Sequence, residues 1–289
     1  MRSLVELRNV TKYYEDQKVL DNINITIKEN DLIGLIGSNG SGKTTLLSIL
    51  CGLITDMDGE LIKEKNIKIG ALIDEPIFYS HLSAFQNLSL IAQIKGLKNI
   101  DIEYLLEQVA LKECKKKKYR DFSLGMRQRL GIAAALINNP EIILLDEPTN
   151  GLDPYGIREI REIIYTLHQS GKTVLISSHV LSELEQICTS IILLEKGCIL
   201  FSDNKETFLE KSGNVIVIYS NNIHLINELL KKLDEVESTQ VFSNSISVSF
   251  KTRMTIESTK RLLEQQGLNT IDIEIKENKM ENALFNLIS

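Results

Sequence analysis

Apolar and polar positions alternate over residues 4–27, most clearly at Ile23, Ile25 and Ile27 with Asn24 and Thr26 between them. A period of two predicts half-buried antiparallel strands. From Leu32 to Ile36 the pattern changes to an unbroken apolar run, closed by a glycine-rich stretch and followed by TTLLSIL. That order predicts a fully buried strand feeding a helix, the opening of an α/β unit. Further buried strands are predicted at Ile142–Leu145 and Thr173–Ser177. The first follows the helical segment QRLGIAAALI, which Asn138, Asn139 and Pro140 terminate; the second follows a helix with Ile157, Ile160, Ile164 and Leu167 on one face, stopped at Gly171. Strands and helices alternating over residues 30–180 imply a mostly parallel sheet.

Between about 76 and 120 the strands drop out, and LSLIAQI and EYLLEQVAL supply the apolar faces of an inserted helical subdomain. Ile191–Leu194 and Ile199–Phe201 then read as a hairpin around Lys196-Gly197. Residues 214–275 follow a new order: strand VIVIY, helix HLINELLKKL, strand SISVSF, helix IESTKRLLEQQ and strand TIDIEI, enough for a small separate α+β domain. The expected organisation is one domain over 1–205, with its helical subdomain at about 76–135, and an accessory domain over 206–289.

The charge balance, 33 Lys+Arg against 39 Asp+Glu for a net −6, argues against a nucleic-acid partner, whose binding domains are usually basic. No apolar run reaches the ~18 residues of a membrane span, and the charged start MRSLVELRNV lacks a signal peptide's apolar stretch, so a soluble chain is expected. Cys51, Cys114, Cys188 and Cys198 are too irregularly spaced for a disulfide framework or a CxxC metal site, and read as buried thiols in a reducing cytoplasm. The run KKKK at 115–118 reads as a solvated turn.

The segment Gly37-Ser38-Asn39-Gly40-Ser41-Gly42-Lys43-Thr44 fits G-x4-G-K-[ST] in full and lies between a predicted strand and a predicted helix. A loop that wraps a phosphate must turn successive backbone N–H groups inward, and glycine adopts the required positive φ cheaply. Lys43 adds a charge toward the β and γ phosphates, Thr44 a hydroxyl for Mg²⁺, and the helix N-terminus a favourable dipole. A second constellation, Asp146-Glu147, ends the buried strand at Ile142–Leu145. There the first carboxylate can hold Mg²⁺ through water and the second can orient or deprotonate an attacking water.

Read in order, these and the remaining motifs resemble the nucleotide-binding subunit of ABC transporters over roughly residues 1–205, a P-loop NTPase with an N-terminal antiparallel β subdomain and a helical subdomain. The resemblance implies ATP contacts at Ser38, Asn39, Gly40, Ser41, Gly42, Lys43, Thr44 and Thr45. Phe122-Ser123-Leu124-Gly125-Met126-Arg127-Gln128-Arg129 is similar to the family's LSGGQ signature and its tail, departing from it at Leu124 and Met126. In that family the signature binds the γ phosphate of ATP held by the other subunit, which assigns Ser123, Leu124, Gly125 and Met126 to the partner's nucleotide. Asn150-Gly151-Leu152-Asp153 is similar to the D-loop, with Asp153 its acidic residue, and Ser177-Ser178-His179 to the strand end bearing the switch histidine that senses the γ phosphate. Tyr13-Tyr14 sits where the family places a ring that stacks on adenine, and the alignment of VTKYYE favours Tyr14, with Tyr13 packing.

One position departs from the pattern. Where the family's Q-loop carries a glutamine that contacts Mg²⁺ and faces the membrane subunit, this chain places Asp74, with Glu75 beside it. An ionised carboxylate approaches Mg²⁺ but donates no hydrogen bond. The wording around this acidic Q-loop resembles the bacitracin-resistance and lantibiotic-immunity group, which exports peptide antibiotics. The resemblance implies two copies joined head to tail around ATP and Mg²⁺, Glu147 as base, His179 on the γ phosphate, and a separate permease gripped through a groove beside Asp74, Glu75 and Phe78 at the cytoplasmic face of the membrane. A non-transport ATP switch of the DNA-repair or translation type is the alternative. The roughly 80 residues between Lys43 and Ser123 are too few for the repair proteins' coiled coil, and translation factors usually carry two such domains. A kinase outside this family leaves the signature and D-loop unexplained.

Overall fold

The alternating N-terminal pattern becomes β1 (Ser3–Tyr14) and β2 (Gln17–Lys28), paired antiparallel with Ile23, Ile25 and Ile27 buried and Asn24 and Thr26 exposed. The structure is a computed structural model that describes residues 2–74, 77–210, 215–220, 222–252, 254–268, 274–276 and 279–288. The unbroken run forms β3 (Leu32–Ile36), buried at every position, and leads into α1 (Lys43–Cys51), which Gly52 ends at φ 83°. β4 (Asp58–Lys63) returns to β1 and completes a three-stranded sheet in the order β2-β1-β4. Its mostly exposed DGELIK has no apolar period to betray it.

β5 (Ile69–Leu72) precedes the helical insertion of α2 (Ala84–Ile94), α3 (Ile102–Gln108) and α4 (Leu124–Ala135). Ser83 and Gln86 form a capping box at the start of α2, which satisfies N–H groups that no earlier turn can. The chain then runs through β6 (Ile142–Leu145), α5 (Pro154–Gln169), β7 (Thr173–Ser178), α6 (Leu181–Glu185), β8 (Ser190–Glu195) and β9 (Cys198–Asn204). These strands form a six-stranded sheet, β5-β6-β7-β3-β8-β9, parallel throughout except for the β8–β9 hairpin. Its central strands are buried on both faces, as continuous apolar runs require. No helix among the described residues is long and apolar enough to cross a membrane.

The chain divides into two compact units, Met1–Asn204 and Lys205–Ser289. The second contains α7 (Lys205–Glu210), β10 (Val215–Tyr219), α8 (Ile223–Leu230), β11 (Val236–Val241), β12 (Ser245–Phe250), α9 (Ile256–Gln265), β13 (Glu274–Lys276) and α10 (Lys279–Ile288). Its antiparallel sheet has the order β11-β12-β10-β13. From β10 to β13 the elements run β-α-β-β-α-β, the split βαβ arrangement. Ile216, Ile218, Ile246, Val248 and Phe250 bury one sheet face against Ile223, Ile226 and Leu230 of α8 and Leu263 of α9. β11, α7 and α10 are absent from the sequence reading; VESTQV in β11 is mostly exposed and lacks an apolar period. Of the strand expected at TIDIEI, residues 270–273 lie outside the described residues.

The four cysteines are not all buried, contrary to expectation. Cys188 is buried, but Cys51, Cys114 and Cys198 are partly exposed, with no disulfide among them. Burial pushes the Cys51 thiol pKa up.

Candidate active site

The loop after β3 is shaped by contacts that leave no room for larger residues. A Cβ on Gly37 would lie 2.2 Å from the Leu194 carbonyl oxygen of β8. Gly42 adopts φ 106°, and a Cβ there would lie 2.7 Å from Leu20 Cδ2. Both glycines therefore let the loop lie close against neighbouring strands, where a side chain would clash. The Ser41 N–H donates to Ser38 O at 3.1 Å, and the Gly197 N–H of the β8–β9 turn donates to Ser41 O at 3.1 Å. Ser38, Asn39 and Gly40 are exposed at the tip, Thr44 is exposed and Thr45 half-buried at the start of α1.

Lys43 is only 6 % exposed. Its ammonium donates to Gly37 O at 2.9 Å and Ser38 O at 3.1 Å and lies 3.4 Å from Glu147 Oε1. Three partners fix a buried charge at the foot of the loop, in keeping with the rule that buried charges are paired.

The acidic pair splits in two directions. Thr44 Oγ1 donates to Asp146 Oδ2 at 2.6 Å, and Ser177 Oγ donates to Asp146 Oδ1 at 2.5 Å. The same Ser177 oxygen accepts from the Glu147 N–H at 2.8 Å. Glu147 itself has φ 42°, the left-handed region that non-glycine residues seldom enter. That turn sends its carboxylate away from Asp146 and toward Lys43 and His179, whose Nδ1 lies 2.9 Å from Glu147 Oε2. Thr44 and Asp146 together fit Mg²⁺, a hard cation usually held by one or two protein oxygens plus substrate phosphates and water. The described residues contain no cluster of three or more His, Cys, Asp or Glu side chains suited to a metal.

Lys43, Thr44, Asp146, Glu147 and His179 thus converge on the carboxyl ends of β3, β6 and β7. Ser177 and Glu195 join them without having been assigned a role from sequence: Ser177 as the bridge just described, Glu195 by accepting from the Ser38 hydroxyl at 2.9 Å. A buried hydroxyl closing an apolar strand was the available signal for Ser177.

Among the described residues, the other candidates make no hydrogen bond to this cluster. Ser123 caps α4, accepting from the Met126 N–H at 3.3 Å, and Gly125 follows it in the first turn. Leu124 is exposed, whereas Met126 is buried, so this departure from the signature supplies core packing. Leu124 Cδ2 lies 3.2 Å from where a Gly151 Cβ would stand, so the signature adjoins the segment Asn150–Asp153. Asp153 caps α5, its Oδ1 accepting from the Gly156 N–H at 2.8 Å. Tyr14 is half exposed, with Lys12 Nζ 5.1 Å from its ring centre. Tyr13, expected to pack, is equally exposed, because both tyrosines sit at the open tip of the β1–β2 hairpin, where Tyr14 pairs with Gln17. Asp74 is exposed just beyond β5, at φ 59°; Glu75 lies outside the described residues.

Known proteins fit this arrangement. Residues 20–150 match the ABC transporter family model. The lantibiotic transport ATP-binding protein SrtF of Streptococcus pyogenes is 40% identical over 224 residues, covering 74% of this chain and 98% of SrtF. The bacitracin transport ATP-binding protein BcrA of Bacillus licheniformis is 33% identical over 300 residues, covering 100% of this chain and 98% of BcrA. Among solved structures, the dimeric bacterial ABC transporter cassette MJ0796 superposes with a TM-score of 0.62 at 29% identity, covering 70% of this chain and 98% of that one. Relatives matched along nearly their whole length at such identities leave one conclusion: the chain belongs to the ATP-binding subunits of ABC transporters.

Proposed function

We propose that two copies of the chain close head to tail on two ATP molecules, and that hydrolysis drives a separate permease exporting peptide antibiotics such as bacitracin or lantibiotics. Each ATP would lie between the phosphate loop of one copy, from Ser38 to Thr45, and Ser123–Met126 of the other. The chain would act at the cytoplasmic face of the membrane, held there by the permease. The observation that carries the reading is the Glu147 carboxylate, held between Lys43 at 3.4 Å and His179 at 2.9 Å while Asp146 is engaged separately by Thr44.

Lys43 exchanges carbonyl partners for phosphate oxygens, neutralising charge where it accumulates. Thr44 and Asp146 would hold Mg²⁺, with Asp74 of the Q-loop proposed as a further oxygen ligand, and the ion would neutralise charge on the phosphates. Glu147 takes the proton of the attacking water, and His179 leaves Glu147 to hold the γ phosphate. Tyr14 offers a face to the adenine ring, a contact that tolerates different bases. Asp153 acts in the interface between copies. The surface carrying Asp74 and Phe78, where Ile77 is 96 % exposed, receives the permease. That the BcrA alignment runs through the second unit, whereas SrtF spans about three quarters of the chain, supports the bacitracin-type layout. Relatives named for transport weigh against the non-transport switch.

The test is co-purification with a permease encoded beside this chain, followed by MgATP hydrolysis with and without bacitracin or a lantibiotic. Stimulation by peptide is expected; peptide-insensitive hydrolysis in the intact complex would count against antibiotic export.

A further inference from the structure

The segments bearing Glu147 and His179 are joined a second time, away from their reacting groups. Thr149 is 5 % exposed, and its hydroxyl donates to Glu183 Oε2 at 2.5 Å. Among the described residues this hydroxyl is the one side-chain partner of Glu183, so charge pairing does not account for a carboxylate there. All four residues, Glu147, Thr149, His179 and Glu183, line one cavity of about 220 Å³.

Local hydrogen bonds make each end of this link stiff. The Val180 N–H donates to Ser178 Oγ at 2.9 Å and the Glu183 N–H to Val180 O at 3.2 Å, so the turn carrying His179 is continuous with α6. The Asn150 N–H donates to Glu147 O at 3.1 Å and the Leu152 N–H to Thr149 O at 3.2 Å, so Thr149 belongs to the turn that begins at Glu147. The direct Glu147–His179 contact occupies one atom of each reacting side chain, so it is open to displacement when His179 takes a phosphate and Glu147 a water. The Thr149–Glu183 bond does not compete with either event. A short hydrogen bond from a buried hydroxyl to a carboxylate is among the stronger polar contacts.

We propose that Glu183 is a positioning residue for hydrolysis, acting through Thr149 to keep the His179 turn in register with the Glu147 segment while both side chains are engaged elsewhere. The proposal rests on Glu147 being the base and His179 the phosphate contact.

The test uses the full chain and MgATP. Glu183→Ala is expected to lower kcat about tenfold, the loss of one charge-assisted hydrogen bond, and to change KM by less than about twofold. Glu183→Gln, whose amide oxygen still accepts from Thr149, is expected to keep at least about half the rate. Thr149→Val should reproduce the Glu183→Ala loss, and the double variant should lose no more than either single one. Where Glu183→Ala does not fold, Thr149→Val beside Glu183→Gln carries the comparison. Unchanged kcat in Thr149→Val, failure of Glu183→Gln to retain rate, or losses that multiply in the double variant would overturn the proposal. Glu147→Gln is measured in parallel: retained hydrolysis there removes the underlying base assignment, whereas lost hydrolysis there with unchanged kcat in Thr149→Val removes the positioning role alone.

Discussion

The two units bury similar apolar side chains on sheets of opposite grain, and their chemistry differs accordingly. In Met1–Asn204 the strands β3, β6 and β7 are parallel, so their carboxyl ends share one edge. Lys43, Asp146, Glu147 and His179 each follow one of those ends, so strand direction brings them to one edge. In Lys205–Ser289 the strands β10 and β12 run antiparallel, their ends alternate, and what converges is the apolar set Ile216, Ile218, Ile246, Val248 and Phe250. A parallel sheet gathers functional groups; an antiparallel one covered by helices gathers a core. Chemical and packing defects should therefore separate cleanly between the units.

The largest effect is expected at the base: Glu147→Gln should lower steady-state phosphate release about 10²–10⁴-fold while MgATP still binds. Unchanged release would show that the base is elsewhere. Phe250→Ala should cost the second unit about 3–5 kcal/mol, seen as faster hydrogen exchange across β10 and β12, with the KM for ATP unaltered. A matching loss of nucleotide binding would break the separation. Lys43→Ala should weaken MgATP binding about 10–100-fold by calorimetry, through loss of charge-assisted bonds to phosphate. Gly37→Ala should cost about 1–3 kcal/mol of stability in thermal unfolding, since the Leu194 carbonyl blocks the added methyl at 2.2 Å. Wild-type stability there would mean that the loop yields more easily than its packing indicates.

How much of this was legible in the sequence follows the same contrast. Continuous apolar runs such as Leu32–Ile36 and Ile142–Leu145 announce buried parallel strands, and residues just past them announce the site. β4 and β11 are invisible because edge strands with DGELIK or VESTQV carry no period, and only their pairing partners define them. The direction of each carboxylate was equally hidden. It depends on the positive φ of Glu147 and on Ser177, whose hydroxyl joins Asp146 to the Glu147 backbone. Tyr13 shows a converse limit, since an apolar ring at a hairpin tip has no layer to pack against.

If ATP is held between the phosphate loop of one copy and the signature of another, the mass of Glu147→Gln in solution with MgATP reports it. Sedimentation should show twice the 32.7 kDa chain with ATP, the single chain without nucleotide, and the single chain again when Ser123→Arg is added. A species that stays at 32.7 kDa while calorimetry shows ATP bound would contradict the sandwich.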